Sequence, residues 1–289
     1  MNKNGIETAP ARNWLQRNLA LTVLATTILV TACAPRQPER ISEWDASDES
    51  NVEPIDHGPW QDILDGYVDP DAQGVNVLDY AALAASSDDT AKLAGYVKHL
   101  EGVDPREYRR AEQMAYWINF YNARTVKMVL DSYPVDTIRE IHQGDVPMTG
   151  PWKDVCANVA GRDLTLDQIE HEILRPIWRD KRIHYAVNCA AYSCPQLMET
   201  AFTAANTEAL LEAGARAYVN SARGVDVVDD EFIVLSSIYQ WYPEDFGSTE
   251  ESVINQLTQY ADAELAAFLE GFEGAIDYDY DWKLNQARR

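Results

Sequence analysis

The chain has 289 residues, a formal net charge of −23 and four cysteines. So acidic a surface repels nucleic acid and anionic lipid headgroups, and the sequence contains no basic stripe, so we expect no nucleic-acid partner.

The chain begins with the pattern of a secretory signal. Lys3, Arg12 and Arg17 precede an uncharged apolar run over residues 19–32. A run of this length is too short to span a bilayer comfortably and is typical of the core of a signal sequence. We therefore predict a signal peptide over residues 1–32.

This signal ends in the letters VTAC, which are similar to the lipobox of bacterial lipoproteins, where a peptidase cuts before a cysteine that carries lipid. We predict lipidation of Cys33; the alternative is an ordinary signal peptide in which Cys33 is incidental. Cleavage there leaves 21 basic and 46 acidic side chains, a net charge of −25, so lipid rather than charge must attach the chain to a membrane. Ala34, rather than Asp, follows the cysteine, which by analogy favours the outer membrane of a bacterial envelope, with the domain facing the periplasm.

Composition divides the remaining chain into two parts. Residues 33–59 are rich in Pro, Ser, Asp and Glu and poor in apolar residues, which predicts a disordered acidic tether. Residues 60–289 are numerous enough for a single globular domain with its own core, and they contain no internal repeat.

Helical patterns dominate the first half of this domain. Residues 104–134 are predicted to form a long helix with Pro105 in its first turn. A second helix is predicted over residues 166–174, because Thr165 and Gln168 have the spacing of a capping box.

Strand patterns appear after the second helix. The alternation in IHYAVNC, residues 183–189, predicts a short strand. Four further elements are predicted: a helix over 206–222, a hairpin over 225–236 turning at Asp229 and Asp230, helical structure over 249–270, and a half-exposed strand over 275–284. Together they predict an α+β fold in which helices pack around a small, mostly antiparallel sheet.

A carboxylate lies on the apolar face of the second predicted helix. The aliphatic side chains of residues 166–174 define one face, Glu170 falls inside it, and His171 lies on its flank. Burial of a carboxylate costs folding free energy unless a hydrogen-bond donor pairs with it. Glu170 therefore either bonds the backbone or reaches water, or it orients a catalytic imidazole.

His184 is the first candidate for that imidazole. On a strand over residues 183–189, it shares the small, polar face with Ala186 and Asn188, while bulky side chains share the other face. If the bulky face packs into the core, His184 opens toward a cleft as a general base; the alternative is a structural histidine.

Cys194 is the first candidate for a nucleophile. Pro195 follows it and favours the first turn of a helix, so Cys194 would lie at a helix N-terminus, where the pKa of a thiol falls. Cys189, on the bulky face of the predicted strand, is expected to be a structural thiol. Cys156, Cys189 and Cys194 allow one disulfide in an oxidising compartment, and both a 189–194 and a 156–189 pairing stay open.

A metal site is the alternative to this thiol chemistry, because the same side chains are possible metal ligands. His171, His184, Cys189 and Cys194 are the available ligands, but four residues between the cysteines is a loose spacing for zinc and the histidine spacing fits no zinc pattern. We predict no metal and no cofactor.

Two amides interrupt the apolar sequence YWINFYNA in the long helix. Asn119 and Asn122 are three residues apart and so share one face. Amides in such a setting usually satisfy buried backbone groups; the alternative is that they bind substrate.

Five motifs, in this order, resemble a family of bacterial proteins numbered 547 among the domains of unknown function: YWINFYNARTVKMVLDSYP, LTLDQIEHEILRP, RIHYAVNCAAYSCPQL, LSSIYQWYPEDF and YDYDWKLN. The resemblance covers about residues 116–285. It implies a thiol-hydrolase-like arrangement of Cys, His and Glu. The nucleophile would be Cys194 or Cys189, the imidazole His184 or His171, and the carboxylate that orients the imidazole Glu170.

Two functions are therefore expected. The first is a membrane-tethered, periplasmic thiol-dependent hydrolase that acts on peptide or amide bonds. The second is a non-catalytic envelope module, stabilised by a disulfide, that binds a peptide or an envelope protein.

Overall fold

A long helix that is buried on all sides forms the centre of the domain. In the computed structural model, which describes residues 40–287, this helix runs over Arg110–Ser132 and follows a short 3-10 turn at Pro105–Glu107. All eight side chains of the YWINFYNA sequence are buried. A helix that is apolar all round belongs in a core, so the predicted long helix is confirmed, with a start five residues beyond Pro105.

Several predictions fall outside the described residues: the signal peptide over 1–32, the lipidated Cys33, and the start of the tether. Within residues 40–287, no helix is long and apolar enough to cross a membrane. The second part of the predicted tether packs onto the domain instead of being disordered, because Ile41, Trp44 and Ile55 are buried and the Ile41 N–H donates to the carbonyl of Glu172.

The helices and strands of the described chain follow one another in mixed order. The α-helices are α1 Gly58–Tyr67, α2 Tyr80–Ala85, α3 Ser87–Glu101, α4 Arg110–Ser132, α5 Arg175–Trp178, α6 Thr207–Val219, α7 Ile238–Trp241, α8 Pro243–Phe246, α9 Glu250–Thr258 and α10 Ala263–Glu270. The strands are β1 Val68–Pro70, β2 Asn76–Leu78, β3 Ala157–Val159, β4 Arg162–Leu164, β5 Val225–Asp229, β6 Phe232–Ser236 and β7 Ala275–Asp279.

The strands form small sheets, which confirms the α+β fold. β1 pairs with β2, β3 with β4 and β5 with β6, all antiparallel, while β7 joins the edge of β6 in parallel. The predicted hairpin turns at Asp230 and Glu231, one residue later than expected, since Asp229 still pairs with Phe232. β7 alternates between exposed and half-buried residues, as its sequence predicts.

The second predicted helix is wound as a π-helix over Gln168–Leu174 before it continues into α5. Its capping box is confirmed: the Gln168 N–H donates to Thr165 Oγ1, and the Thr165 N–H donates to Gln168 Oε1. π-turns are rare and occur mostly at functional sites, so the side chains of this segment are candidates for a functional role.

The predicted strand over residues 183–189 is wrong. Lys181–Tyr185 is a 3-10 helix, and the residues after it are irregular. The alternation fails because every side chain of this stretch except Cys189 is buried. Its backbone bonds side chains rather than a neighbouring strand: Asn122 Nδ2 donates to the Ala186 carbonyl, and the Asn188 N–H donates to Asn122 Oδ1.

Candidate functional site

A cavity of about 810 Å³ opens beside the irregular segment that follows the 3-10 helix. Its wall contains both thiols and both imidazoles that the sequence singles out. The lining side chains that carry chemistry are Tyr121, Asp167, Glu170, His171, His184, Cys189, Cys194, Tyr242 and Tyr280.

Glu170, on the π-helix, is buried against two imidazoles. Its Oε1 lies 3.5 Å from His184 Nδ1 and 3.8 Å from His171 Nδ1. Burial alone would raise the pKa of Glu170, but the two histidines and the nearby Arg175 outweigh it and lower the pKa to about 2. The expected proximity of Glu170 and His184 is confirmed, and Glu170 is held as a carboxylate.

Both ring nitrogens of His184 face carboxylates. Nε2 lies 2.6 Å from Asp245 Oδ2, on α8, and Nδ1 faces Glu170. Burial by itself lowers the pKa of His184, but the hydrogen bond to Asp245 and the charge of Glu170 raise it above its ordinary value. His184 is therefore an imidazolium with neither nitrogen free to accept a proton.

Arg175 joins the same network from the start of α5. Its Nε donates to Asp245 Oδ2 at 2.6 Å, and its Nη2 donates to Glu244 Oε1 at 2.6 Å. Burial would raise the pKa of Asp245, but His184 and Arg175 lower it to about 2. The site thus contains a closed set of paired charges that ties the π-helix to α8.

His171 is the imidazole with a free nitrogen. Arg175 Nη1 lies 3.0 Å from its Nδ1. A guanidinium can only donate, so Nδ1 accepts and the ring proton lies on Nε2. Nε2 has no hydrogen-bond partner among residues 40–287, and the side chain lines the cavity beside Tyr242.

Cys189 and Cys194, the two thiols of the RIHYAVNCAAYSCPQL motif, lie against each other. The Cys189 N–H donates to Cys194 Sγ at 2.8 Å, and Cys189 Sγ lies 3.2 Å from the Tyr280 hydroxyl. Cys194 is buried, whereas Cys189 is partly exposed, and neither forms a disulfide. No helix starts at Pro195, since α6 begins only at Thr207, so the expected helix N-terminus at Cys194 is wrong.

The environment separates the two thiols by pKa. The neighbouring Cys194 side chain, the Tyr280 hydroxyl and the Ala191 backbone together lower the pKa of Cys189 against the effect of burial. Burial and the neighbouring Cys189 sulfur raise the pKa of Cys194. The geometry therefore favours Cys189 over Cys194 as a nucleophile, the reverse of the order expected from sequence.

The structure does not join the thiols to the imidazoles by hydrogen bonds. Within the described residues, neither Cys189 nor Cys194 bonds a histidine. No group of three or more His, Cys, Asp or Glu side chains in residues 40–287 is arranged to hold a metal ion.

The side-chain amides of Asn119 and Asn122 both form hydrogen bonds with backbone groups. Asn119 donates to the Phe202 carbonyl and accepts from the Phe202 N–H, and Asn122 makes the corresponding pair with Ala186 and Asn188. Neither amide lines the cavity. These contacts fit the structural alternative for the two amides rather than substrate binding.

An aromatic wall lines the cavity beside the thiols. Trp282 packs against Trp152, Trp241 and Tyr280, with ring centroids 5.6, 5.6 and 4.7 Å apart, and Arg139 covers the Trp282 ring at 5.2 Å. Trp241 is 41% exposed, so part of this wall is open to a ligand. Such a wall suits an apolar or extended ligand beside a polar reacting group.

Sequence reasoning missed Asp245 and Tyr280. Both lie in the quoted motifs, in YPEDF and in YDYDWKLN, but they are 61 and 91 residues away from the partners they bond. Two signals were present in the sequence but had no partner nearby: an acidic residue two positions after the Pro that opens a short helix, and a tyrosine that alternates with aspartates.

Comparison with known proteins gives one match. No curated protein and no solved structure matches the chain. The family model described as "Protein of unknown function, DUF547" matches residues 105–219, a segment that contains α4, the π-helix, both imidazoles and both thiols, but neither Asp245 nor Tyr280. This match supports the family that the sequence motifs resemble, over residues 105–219.

Proposed function

We propose that the domain is a thiol-dependent acyl-transfer enzyme that hydrolyses peptide or amide bonds, with Cys189 as its nucleophile. One observation carries this proposal: the partly exposed Cys189 thiol lies on an 810 Å³ cavity, with its Sγ 3.2 Å from the Tyr280 hydroxyl. Donors around a sulfur favour the thiolate, which is the nucleophilic form.

The reaction begins with attack of the Cys189 thiolate on a carbonyl carbon. The bond to the leaving amine breaks, and a thioester forms on Cys189. His171 is the candidate proton donor to that amine, because its Nε2 carries a proton and it lines the same cavity. Water then hydrolyses the thioester: its hydroxyl joins the acyl carbon, its proton returns to His171, and Cys189 leaves as the thiolate.

His184 has a positioning role in this scheme. An imidazolium held by Glu170 and Asp245 has no free nitrogen for a proton from the thiol. It stacks on Tyr242 with ring centroids 4.5 Å apart, and Tyr242 in turn packs against His171 at 5.3 Å, so His184 supports the side chain that contacts His171. The proposed scheme therefore assigns proton transfer to His171 rather than to His184.

We also propose that lipid on Cys33 attaches this enzyme to the outer membrane of the bacterial envelope, facing the periplasm. The support is the lipobox-like VTAC motif and Ala34 after the cysteine. The substrates would then be envelope peptides or peptide cross-links. With a net charge of −25 after cleavage, neutral or cationic substrates are favoured over polyanions.

A binding module is the second candidate. It is favoured by one observation: both nitrogens of His184 are occupied, and no imidazole bonds either thiol in the part of the chain that the structure describes. In that case the aromatic wall holds a peptide segment without chemistry.

The two candidates are separated by turnover of the reduced protein. p-Nitrophenyl acetate as a minimal acyl donor, followed by a panel of envelope-derived peptides, should give an acetyl or acyl group on Cys189 in peptide-resolved mass spectra and product beyond one equivalent. Cys189→Ser should abolish both, and Cys156→Ser, a buried thiol outside the cavity, should change neither. Peptide binding without acylation or turnover would favour the binding module.

A further inference from the structure

We propose that Cys189 and Cys194 form a redox-active dithiol that exchanges with an external disulfide, with Cys189 attacking and Cys194 resolving. The inference rests on the proposed function only in requiring that Cys189 is the reactive thiol of the cavity. It adds a second activity, on the disulfide class of substrates.

The contact between the two residues already has the geometry that such exchange needs. The Cys189 N–H donates to Cys194 Sγ at 2.8 Å, so the Cys194 sulfur lies against the residue that carries the attacking thiol. The two thiols therefore belong to residues in direct contact, which is the first requirement for a disulfide between them.

Exposure separates the roles of the two thiols. Cys189 is partly exposed on the cavity, where an incoming disulfide can meet it, whereas Cys194 is 4% exposed behind it. The backbone around Cys194 is fixed: Arg223 Nη1 donates to the Cys194 carbonyl at 2.6 Å, and the Ser193 N–H donates to the Asp281 carbonyl at 3.1 Å. A fixed, sheltered thiol next to an accessible one is the arrangement of a resolving cysteine.

The two steps balance. The Cys189 thiolate attacks a disulfide RS–SR, the S–S bond breaks, RS⁻ leaves, and a mixed disulfide Cys189–SR forms. Cys194 then loses its proton to solvent and attacks Cys189 Sγ, which releases the second RS⁻ and closes the Cys189–Cys194 bond. The protein dithiol is oxidised by two electrons, and the external disulfide is reduced to two thiols once each RS⁻ takes up a proton.

The first step prepares the second. Burial and the adjacent Cys189 sulfur together raise the pKa of Cys194. Once Cys189 is in a mixed disulfide it has no negative charge, so part of that effect disappears, while the Cys189 N–H still donates to Cys194 Sγ. Cys194 thus ionises more readily at the stage at which it must attack.

Closing the pair also stops acyl transfer, because Cys189 in a disulfide cannot form a thioester. Oxidation by envelope disulfides would therefore switch off the proposed hydrolase, and reduction would restore it.

The test exposes the reduced full-length protein to glutathione disulfide, stops the reaction with acid at a series of times, and maps each cysteine by alkylation and mass spectrometry. Wild type should close the Cys189–Cys194 disulfide, with glutathione on Cys189 only transiently. Cys194→Ser should retain glutathione on Cys189, and Cys189→Ser should react at least tenfold more slowly at Cys194. Cys156→Ser should behave as wild type.

A stable glutathione adduct on Cys189 of the wild type with Cys194 still free, or no reaction at all, would overturn the inference. Native protection of the buried Cys156 from alkylation reports that each cysteine variant is folded; if Cys194→Ser fails this check, the wild-type time course decides alone. Disulfide exchange without turnover would contradict only the proposed hydrolase activity. Turnover without a closed disulfide would contradict only the proposed redox activity of the Cys189–Cys194 pair.

Discussion

His184 Nε2 and Asp245 Oδ2 lie 2.6 Å apart, although 61 residues separate them in sequence. With Glu170 facing Nδ1, this contact fixes the imidazole as a cation. A catalytic imidazole requires one nitrogen available to the reacting groups, and His184 has none. The relationship accounts for the shift of the proposed proton transfer to His171.

Replacing Glu170 should destabilise the protein in a pH-dependent way. The folded-state pKa of Glu170 is about 2 against an ordinary value of 4.5, so its carboxylate stabilises the fold above about pH 5, and that stabilisation is lost as the pH falls through about 2. Glu170→Gln should lower the free energy of unfolding by about 3 kcal/mol at pH 7, and the gap from wild type should close near pH 2.

Denaturant titrations from pH 2 to pH 8 measure this gap. Glu172→Gln is the matched control, because Glu172 lies on the same π-helix outside the charge network, and its effect should stay within about 0.5 kcal/mol at every pH. A Glu170→Gln gap that does not change with pH would mean that the carboxylate is not charged in the fold.

Removing the Tyr280 hydroxyl should weaken the Cys189 thiolate. That hydroxyl lies 3.2 Å from Cys189 Sγ and helps to lower its pKa. A hydrogen bond to a charged group contributes about 1.5 kcal/mol, so Tyr280→Phe should raise the pH midpoint of Cys189 alkylation by about one unit. Tyr278→Phe, on β7 and outside the cavity lining, should leave the midpoint unchanged; equal shifts in both variants would remove Tyr280 from the site.

Asn122 should prove structural. Asn122→Ala breaks its hydrogen bonds to the Ala186 carbonyl and the Asn188 N–H, and leaving two buried backbone groups unpaired should cost about 2–4 kcal/mol of unfolding free energy. Peptide affinity of the folded fraction should be unchanged. Asn158→Ala, which loses an exposed side-chain contact to Asp163, should cost less than about 0.5 kcal/mol. A loss of affinity without a loss of stability in Asn122→Ala would restore its substrate-binding role.

Cys33→Ala should change where the protein is found. Without a cysteine there is no acceptor for lipid, so the protein should leave the membrane fraction or accumulate as an uncut precursor. Fractionation followed by mass measurement distinguishes the two. Unchanged processing and membrane association in Cys33→Ala would contradict the lipobox interpretation.

Local patterns were sufficient for three of the predicted elements. The capping box at Thr165 and Gln168, the apolar run in α4 and the hairpin of β5 and β6 depend on neighbouring residues, and the structure confirms each of them. The tether prediction extended too far because composition averages conceal single buried side chains such as Trp44.

Contacts between residues far apart in sequence determine the two features that were predicted wrongly. The stretch over residues 183–189 alternates like a strand, yet it bonds the Asn122 side chain and is buried on both sides. Cys189 was expected to be structural because its strongest partners, Tyr280 and the Cys194 sulfur, reach it only through the folded chain.

The proposed function depends most directly on which thiol reacts first. Reduced wild-type protein should be treated with a limiting amount of iodoacetamide across pH 5 to pH 10, with the labelled cysteine identified by peptide mass spectrometry. The structure predicts that Cys189 is alkylated first, with a midpoint below the ordinary thiol value of about 8.5, while Cys194 and Cys156 stay protected. First labelling at Cys194, or a Cys189 midpoint at or above that ordinary value, would contradict the assignment of Cys189 as the nucleophile.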